Sequence, residues 1–198
     1  MTNTTDDELQ QQIEQAADKL KIEPDFLRQI TPEEIEYLLD RCPFLQIVGP
    51  ETLETPGAVK IIRASSGWDI HDYGDAMSSS PGSLLFGGGD FRIYLSEIEA
   101  NEGGSLINPG KGTLVNQAFM TAREMIEIAN SRGWSIVTIV DGHRIMKRAA
   151  WIQAEILGLV IDGFEPTEED KRIRELFMES KESFELRRAV IHKNKPSI

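Results

Sequence analysis

The segment from Arg132 to Asp170 constrains the fold more than any other part of the chain. A short apolar run, Ile136 to Val140, follows Gly133 and Trp134. A helix-like stretch extends from His143 to Leu157, and a second apolar run covers Leu159 to Ile161. That order spells strand, helix, strand, and Thr167 then opens a further helix. Two strands joined by a helix of this length pair in parallel through a right-handed crossover, since a tight hairpin joins only antiparallel strands. The segment is therefore a folding unit in itself.

Around it the remaining elements define an α+β chain. Residues 1–43 form a helical N-terminal element. Leu9, Ile13, Ala16, Ala17 and Leu20 recur at helical spacing, and two helix starts follow at Pro24 and at Thr31-Pro32-Glu33-Glu34. In the second, Thr31 caps, Pro32 suits the first helical position and Glu34 completes a capping box. Residues 44–112 are rich in strand and loop. Phe44–Val48, Ala58–Ala64, Trp68–Tyr73, Ser83–Phe86 and Phe91–Leu95 are short strand candidates, separated by turn residues that include Ser78 to Gly82. An antiparallel meander is the natural arrangement. Residues 113–182 form a helix–strand–helix–strand–helix module, whose first helix carries one wide apolar face from Leu114 to Ala129. Residues 183–198, with Arg187, Arg188, His192, Lys193 and Lys195, make a basic C-terminal tail.

Charge and cysteine usage narrow the classes of function. The formal net charge is −12 over 198 residues, a mean field that repels polyanions and disfavours a free-standing, non-specific nucleic-acid binder. The same surface suits a basic protein partner. Cys42 has no second cysteine to pair with, and the polar, acidic start of the chain is unlike a secretory leader. No apolar run is long enough to span a bilayer. Together these features predict a cytoplasmic protein without membrane insertion.

Chemistry-bearing residues are sparse. The densest group is Asp69, His71, Asp72 and Asp75 in Trp-Asp-Ile-His-Asp-Tyr-Gly-Asp. Oxygen donors beside an imidazole suit a metal or acid–base pair, yet on a strand Asp69 and His71 share one face while Asp72 points to the other. A polar loop at a strand end is the better account of them. Gly87-Gly88-Gly89-Asp90 and the stretch from Gly103 to Thr113 invite a phosphate-loop reading. Gly112, however, separates Lys111 from Thr113, and a phosphate loop needs them adjacent, so flexible turns with Thr113 as a helix cap fit better. Arg144, Lys147 and Arg148 place positive charge along one side of the helix after His143, and with Arg187 and Arg188 could meet phosphate or an acidic partner. A solvated face is the better account of them. No dinucleotide fingerprint, Ser–His–Asp order or metalloprotease helix is present, so neither a cofactor nor a catalytic set is expected.

A wider pattern runs through Ala129, Arg132-Gly133-Trp134, Gly142, Lys147-Arg148, Trp151, Ala154, Gly158-Leu159-Val160, Gly163-Phe164-Glu165-Pro166-Thr167 and Asp170. It resembles the large polyvalent-protein-associated domain of the seventh type, a module of conjugative relaxases and of large phage and plasmid proteins, and covers about residues 113–180. Phe164 replaces the family's usual Tyr, and Met146 stands where Phe is common. No relaxase-type histidine cluster accompanies it, since His71, His143 and His192 are dispersed. Each position of the pattern also has a structural role. Trp134 opens a strand, Trp151 packs mid-helix near Met146 and Ala154, and Gly158 ends the helix. Gly163 and Pro166 shape the turn before the Thr167 cap.

The resemblance implies a setting and not a nicking reaction. The leading expectation is a non-enzymatic accessory or adaptor of a type IV transfer system, in plasmid conjugation or Dot/Icm-like secretion. It would act through protein contacts carried by exposed Leu9 and Ile13 and by the acidic surface. The alternatives are a DNA-processing accessory using the basic helix and tail, and a small metal-dependent hydrolase using the Asp69–Asp75 group.

Overall fold

The computed structural model describes residues 6–28, 30–50, 59–81 and 112–193. The strand candidates at Ser83–Phe86 and Phe91–Leu95, and the glycine stretches at 87–89 and 103–110, lie outside the described residues. The chain divides into two compact units, 1–164 and 165–198.

The first unit opens with three helices, α1 (Asp6–Leu20), α2 (Pro24–Leu27) and α3 (Pro32–Arg41). Thr31 caps α3 as its sequence indicates: its side chain accepts from the Glu34 N–H, and the Glu34 carboxylate accepts from the Thr31 N–H at 2.8 Å. These helices bury a small core of their own, built from Ile13, Ala16, Ala17, Leu20, Leu27, Ile35, Leu38 and Cys42.

A six-stranded mixed sheet follows, in the order β2 (Lys60–Arg63), β3 (Asp69–Asp72), β4 (Ala76–Ser80), β1 (Leu45–Val48), β5 (Ile136–Gly142), β6 (Val160–Asp162). Neighbours from β2 to β5 are antiparallel, and β5 and β6 pair in parallel with Ile136 opposite Val160. Between the last two strands the chain passes through α5 (Arg144–Leu157), the crossover that the apolar runs predict. The preceding helix, α4 (Leu114–Ser131), is capped by Thr113, whose side chain accepts from the Asn116 N–H. The fold is α+β.

One face of the sheet carries the main core. Leu45, Ile47, Ile70, Met77, Val137 and Ile139 point from the strands toward Ala118, Ala122, Met125 and Ile126 of α4 and Met146, Ala149 and Ala150 of α5. The small residues on both helices let them lie close together over the strands. Trp68 is fully buried there, donating from Nε1 to Gln117 Oε1 at 3.1 Å, so its polar edge is satisfied inside the core. Trp151 is buried on α5 with Phe164 6.2 Å away, and Trp134 packs partly buried at the edge of the same core.

Strands from residues 44–112 and from 113–182 share one sheet, because β1 sits between β4 and β5. Two assignments differ from the sequence expectations. Ser78 to Ser80 are strand and not turn: pairing to β3 on one side and β1 on the other overrides the turn preference of serine. In the second unit, α6 runs unbroken from Glu168 to Lys193, so no tail begins at residue 183. Its start is fixed by Thr167, whose N–H and Oγ1 both donate to Asp170 Oδ2, at 2.9 and 2.8 Å.

Candidate functional site

The second face of the sheet is where the molecule offers a surface. Alternation along the strands sends Ile61, His71, Ser78, Gln46 and Asp141 to this side in one row across five strands. The C-terminal end of α1 rests on the middle of that row through polar contacts. Gln46 Nε2 donates to Asp18 Oδ2 at 3.1 Å, Lys19 pairs with Asp141 at 2.8 Å, and Ser80 Oγ donates to the Leu20 carbonyl at 2.5 Å. Beyond the helix end, toward β5 and β6, the face is open. Ile136 is 42% exposed, and Val140 and Val160 are each 59% exposed.

The register explains why Val140 stands out. Ile47 pairs with Ile139 but Gln46 pairs with Asp141, so Val140 is the extra residue of a β-bulge. A bulge twists the strand and re-aims the side chain at that point. Asp162 lies on the same face, opposite Thr138, and is exposed at the margin of the aliphatic group.

Between the end of α1 and this face is a cavity of about 250 Å³, lined by Asp18, Lys21, Gln46, Val48, Tyr73, Ala76, Ser78 and Val140 among others. Lys21 is the first residue past α1 and has left-handed backbone angles, φ +54°. The Ile22 N–H returns to the Ala17 carbonyl at 3.1 Å, the helix-ending arrangement in which glycine is the usual occupant. The Lys21 side chain, 10% exposed, turns into the cavity. Its Nζ donates to Asp18 Oδ1 at 2.5 Å and to the Tyr73 hydroxyl at 3.0 Å. Ser78 Oγ is buried without a hydrogen-bond partner among the described residues. His71, cross-strand from Ser78, is held below the ordinary imidazole range first by burial and then by the Lys21 charge, against the opposing pull of Asp69 and Asp18.

The residues singled out in the sequence fall in different places. Asp69 and His71 share the open side while Asp72 points to the other, as the strand alternation requires. Asp69 pairs with Arg63, and Asp72 is held by Arg132 and by the Gly74 N–H at 2.9 Å. Burial alone would raise the Asp72 pKa, but these bonds outweigh it and hold the carboxyl below its usual range. Asp75 lies in the turn between β3 and β4, where its carbonyl accepts from the Gly49 N–H at 2.7 Å. Among the described residues no group of three or more His, Cys, Asp or Glu is placed to hold a metal ion.

Ile13 is buried and Leu9 packs against the helical core, so neither forms an exposed partner patch. An apolar stripe on a short charged helix marks the side that faces its own core. Arg144 and Arg148 both engage neighbours, and the Lys147 charge helps to lower the Asp141 pKa. Arg187 and Arg188 lie on α6. Gly133 lies in the loop before β5, Gly142 closes that strand beside Leu45, and Pro166 precedes α6. Gly158 ends α5 with φ +78°, the left-handed cap its position predicts. Thus the pattern residues serve the architecture, and the open face and its cavity are the features that sequence reading missed.

No family model matches the chain. It is similar to a protein of Coxiella burnetii (strain RSA 493 / Nine Mile phase I) described as an uncharacterized protein, at 52% identity over 171 residues. The aligned part covers 85% of this chain and 86% of that protein. No helix among the described residues is long and apolar enough to cross a membrane.

Proposed function

The chain belongs to one family with the Coxiella burnetii protein, and from that premise we propose that it is a non-enzymatic adaptor acting in the cytoplasm through protein–protein contacts. The observation that carries this reading is the group of exposed aliphatic side chains, Ile136, Val140 and Val160, on the sheet face beyond the end of α1. Aliphatic residues gathered on a strand face and rimmed by charge are the composition of a docking surface, with an apolar centre and a polar margin. Asp162 at that margin and a net charge of −12 select a partner segment that presents aliphatic side chains flanked by Lys or Arg.

The setting we propose is a type IV transfer system, conjugative or Dot/Icm-like, with the partner a coupling or relaxase-type component. Its support is the resemblance of residues 113–180 to the relaxase-associated domain. The nucleic-acid alternative has less behind it, because Arg144 and Arg148 are occupied by neighbours.

Site-specific photo-crosslinking from positions 140 and 160 in the producing cells tests the reading. The expected product joins this chain to a component of the transfer apparatus, and Val140→Asp with Val160→Asp abolishes the association without altering the melting curve. An unchanged association in that double variant, or crosslinks to ribosomal and metabolic proteins alone, would overturn it.

A further inference from the structure

We propose that the cavity at the end of α1 anchors the partner by taking one uncharged aliphatic side chain from a short basic segment of it. The proposal rests on the adaptor reading and adds the point at which the partner is gripped. Val140 joins the two places, since it lines the cavity and also belongs to the exposed aliphatic group, 59% exposed. Val48 and Ala76, opposite one another on β1 and β4, continue the aliphatic wall inward.

The polar groups of the lining are engaged with one another. Lys21 Nζ donates to Asp18 at 2.5 Å and to the Tyr73 hydroxyl at 3.0 Å, and Gln46 donates to Asp18 at 3.1 Å. The Ser78 hydroxyl is buried and offers nothing to an entering group. A charged occupant thus meets a lysine already neutralised by a carboxylate, and loses its hydration without recompense. An aliphatic occupant displaces water from the valine and alanine wall and leaves those bonds intact. The volume of about 250 Å³ lies below the range of about 300–1,000 Å³ common for sites of whole small molecules, and suits a single side chain such as Leu, Ile or Met.

Charge beside the cavity selects the rest of the segment. Asp18 and Asp141 are matched by Lys21 and Lys19. Asp162 accepts from the Gly163 N–H and has no ion pair among the described residues. Val48, Thr138 and Asp162 form one row across β1, β5 and β6, so the cavity wall and this carboxylate are about 10 Å apart at roughly 4.8 Å per strand. An extended chain covers that span in about three residues, which places a Lys or Arg of the partner close to its anchor.

Selection of short random peptides on the full chain, followed by fluorescence anisotropy of those enriched, tests the proposal. The enriched peptides are expected to share one Leu, Ile or Met with a Lys or Arg about two to four residues away. Replacing that aliphatic residue by Ala is expected to weaken binding by about tenfold or more, the value of burying one such side chain. Ala76→Leu, which fills the cavity, and Val48→Ala, which removes part of its wall, are expected to weaken the parent peptide. Neither is expected to weaken further the peptide that already lacks its anchor, a coupling that a general loss of structure does not produce. Asp162→Asn is expected to reduce the preference for Lys or Arg. No enriched peptides, enriched peptides without an aliphatic residue, or losses that simply add between peptide and cavity variants would each overturn the anchor. Binding abolished by Val140→Asp yet indifferent to Ala76→Leu and Val48→Ala would also overturn it, while leaving the adaptor reading to the crosslinks from positions 140 and 160.

Discussion

Gly163 closes β6 with φ +76°, and a Cβ built on it would stand 2.3 Å from the Ile139 carbonyl oxygen. Backbone cannot retreat as a side-chain tip can, so steric overlap and left-handed strain act together. Gly163→Ala is expected to cost about 2–3 kcal/mol, read as a lowered urea midpoint with an unchanged slope. Titration at His71 makes a second prediction. Burial first, and Lys21 second, lower its pKa from 6.5, so the folded chain holds the ring neutral where the unfolded chain binds a proton. That contribution to stability is complete above pH 6.5 and is lost as pH falls through the lowered folded value. His143, also lowered mainly by burial, acts with the same sign. Stability of His71→Gln, measured by denaturant titration at several pH values, is therefore expected to fall less steeply below pH 6.5 than that of the parent chain.

At the scale of elements, the ends are set by local chemistry and the pairing is not. The capping box at Thr31 and Glu34 starts α3, and Thr31→Ala is expected to destabilise the chain by about 1 kcal/mol in thermal melts. That helix, α4 with its wide apolar face, and the β5–α5–β6 passage are legible in the sequence because their signals are periodic and short-range. The place of β1 is not legible. Leu45 to Val48 pair with residues 76–79 on one side and with residues 138–142 on the other, and no local spacing encodes either partner. Strand β4 escaped for a related reason, since three serines in sequence imitate a turn until both neighbours pair with them. Their presence at positions 78–80 was still a signal, because polar side chains buried in a central strand must bond to something or line a space. The cavity under the end of α1 has no sequence signature: Lys21, Tyr73 and Ser78 come from a helix end, a turn and a strand, and only the fold assembles them.

For the molecule as a whole, the main consideration is where its apolar surface goes. Both apolar cores, the helical one around Leu20 and Leu38 and the sheet-and-helix one around Trp68 and Met125, are made of residues within 1–164. A chain ending at Phe164 is expected to keep a single cooperative urea transition and the near-ultraviolet signal of Trp68, Trp134 and Trp151. A broad transition without that signal would show that 165–198 is required for the cores to form. The net charge of −12 keeps copies apart while the aliphatic face stays open, which offsets the association that such a face invites. The central position of β1 also bears on how the protein is made. Its second edge waits for β5, which leaves the ribosome about 60 residues after β4. At about 5–20 residues per second that interval is roughly 3–12 s, during which a half-built sheet presents unpaired backbone to the nascent chain's surroundings. Synthesis of this protein thus includes a period when a holdase has something to hold.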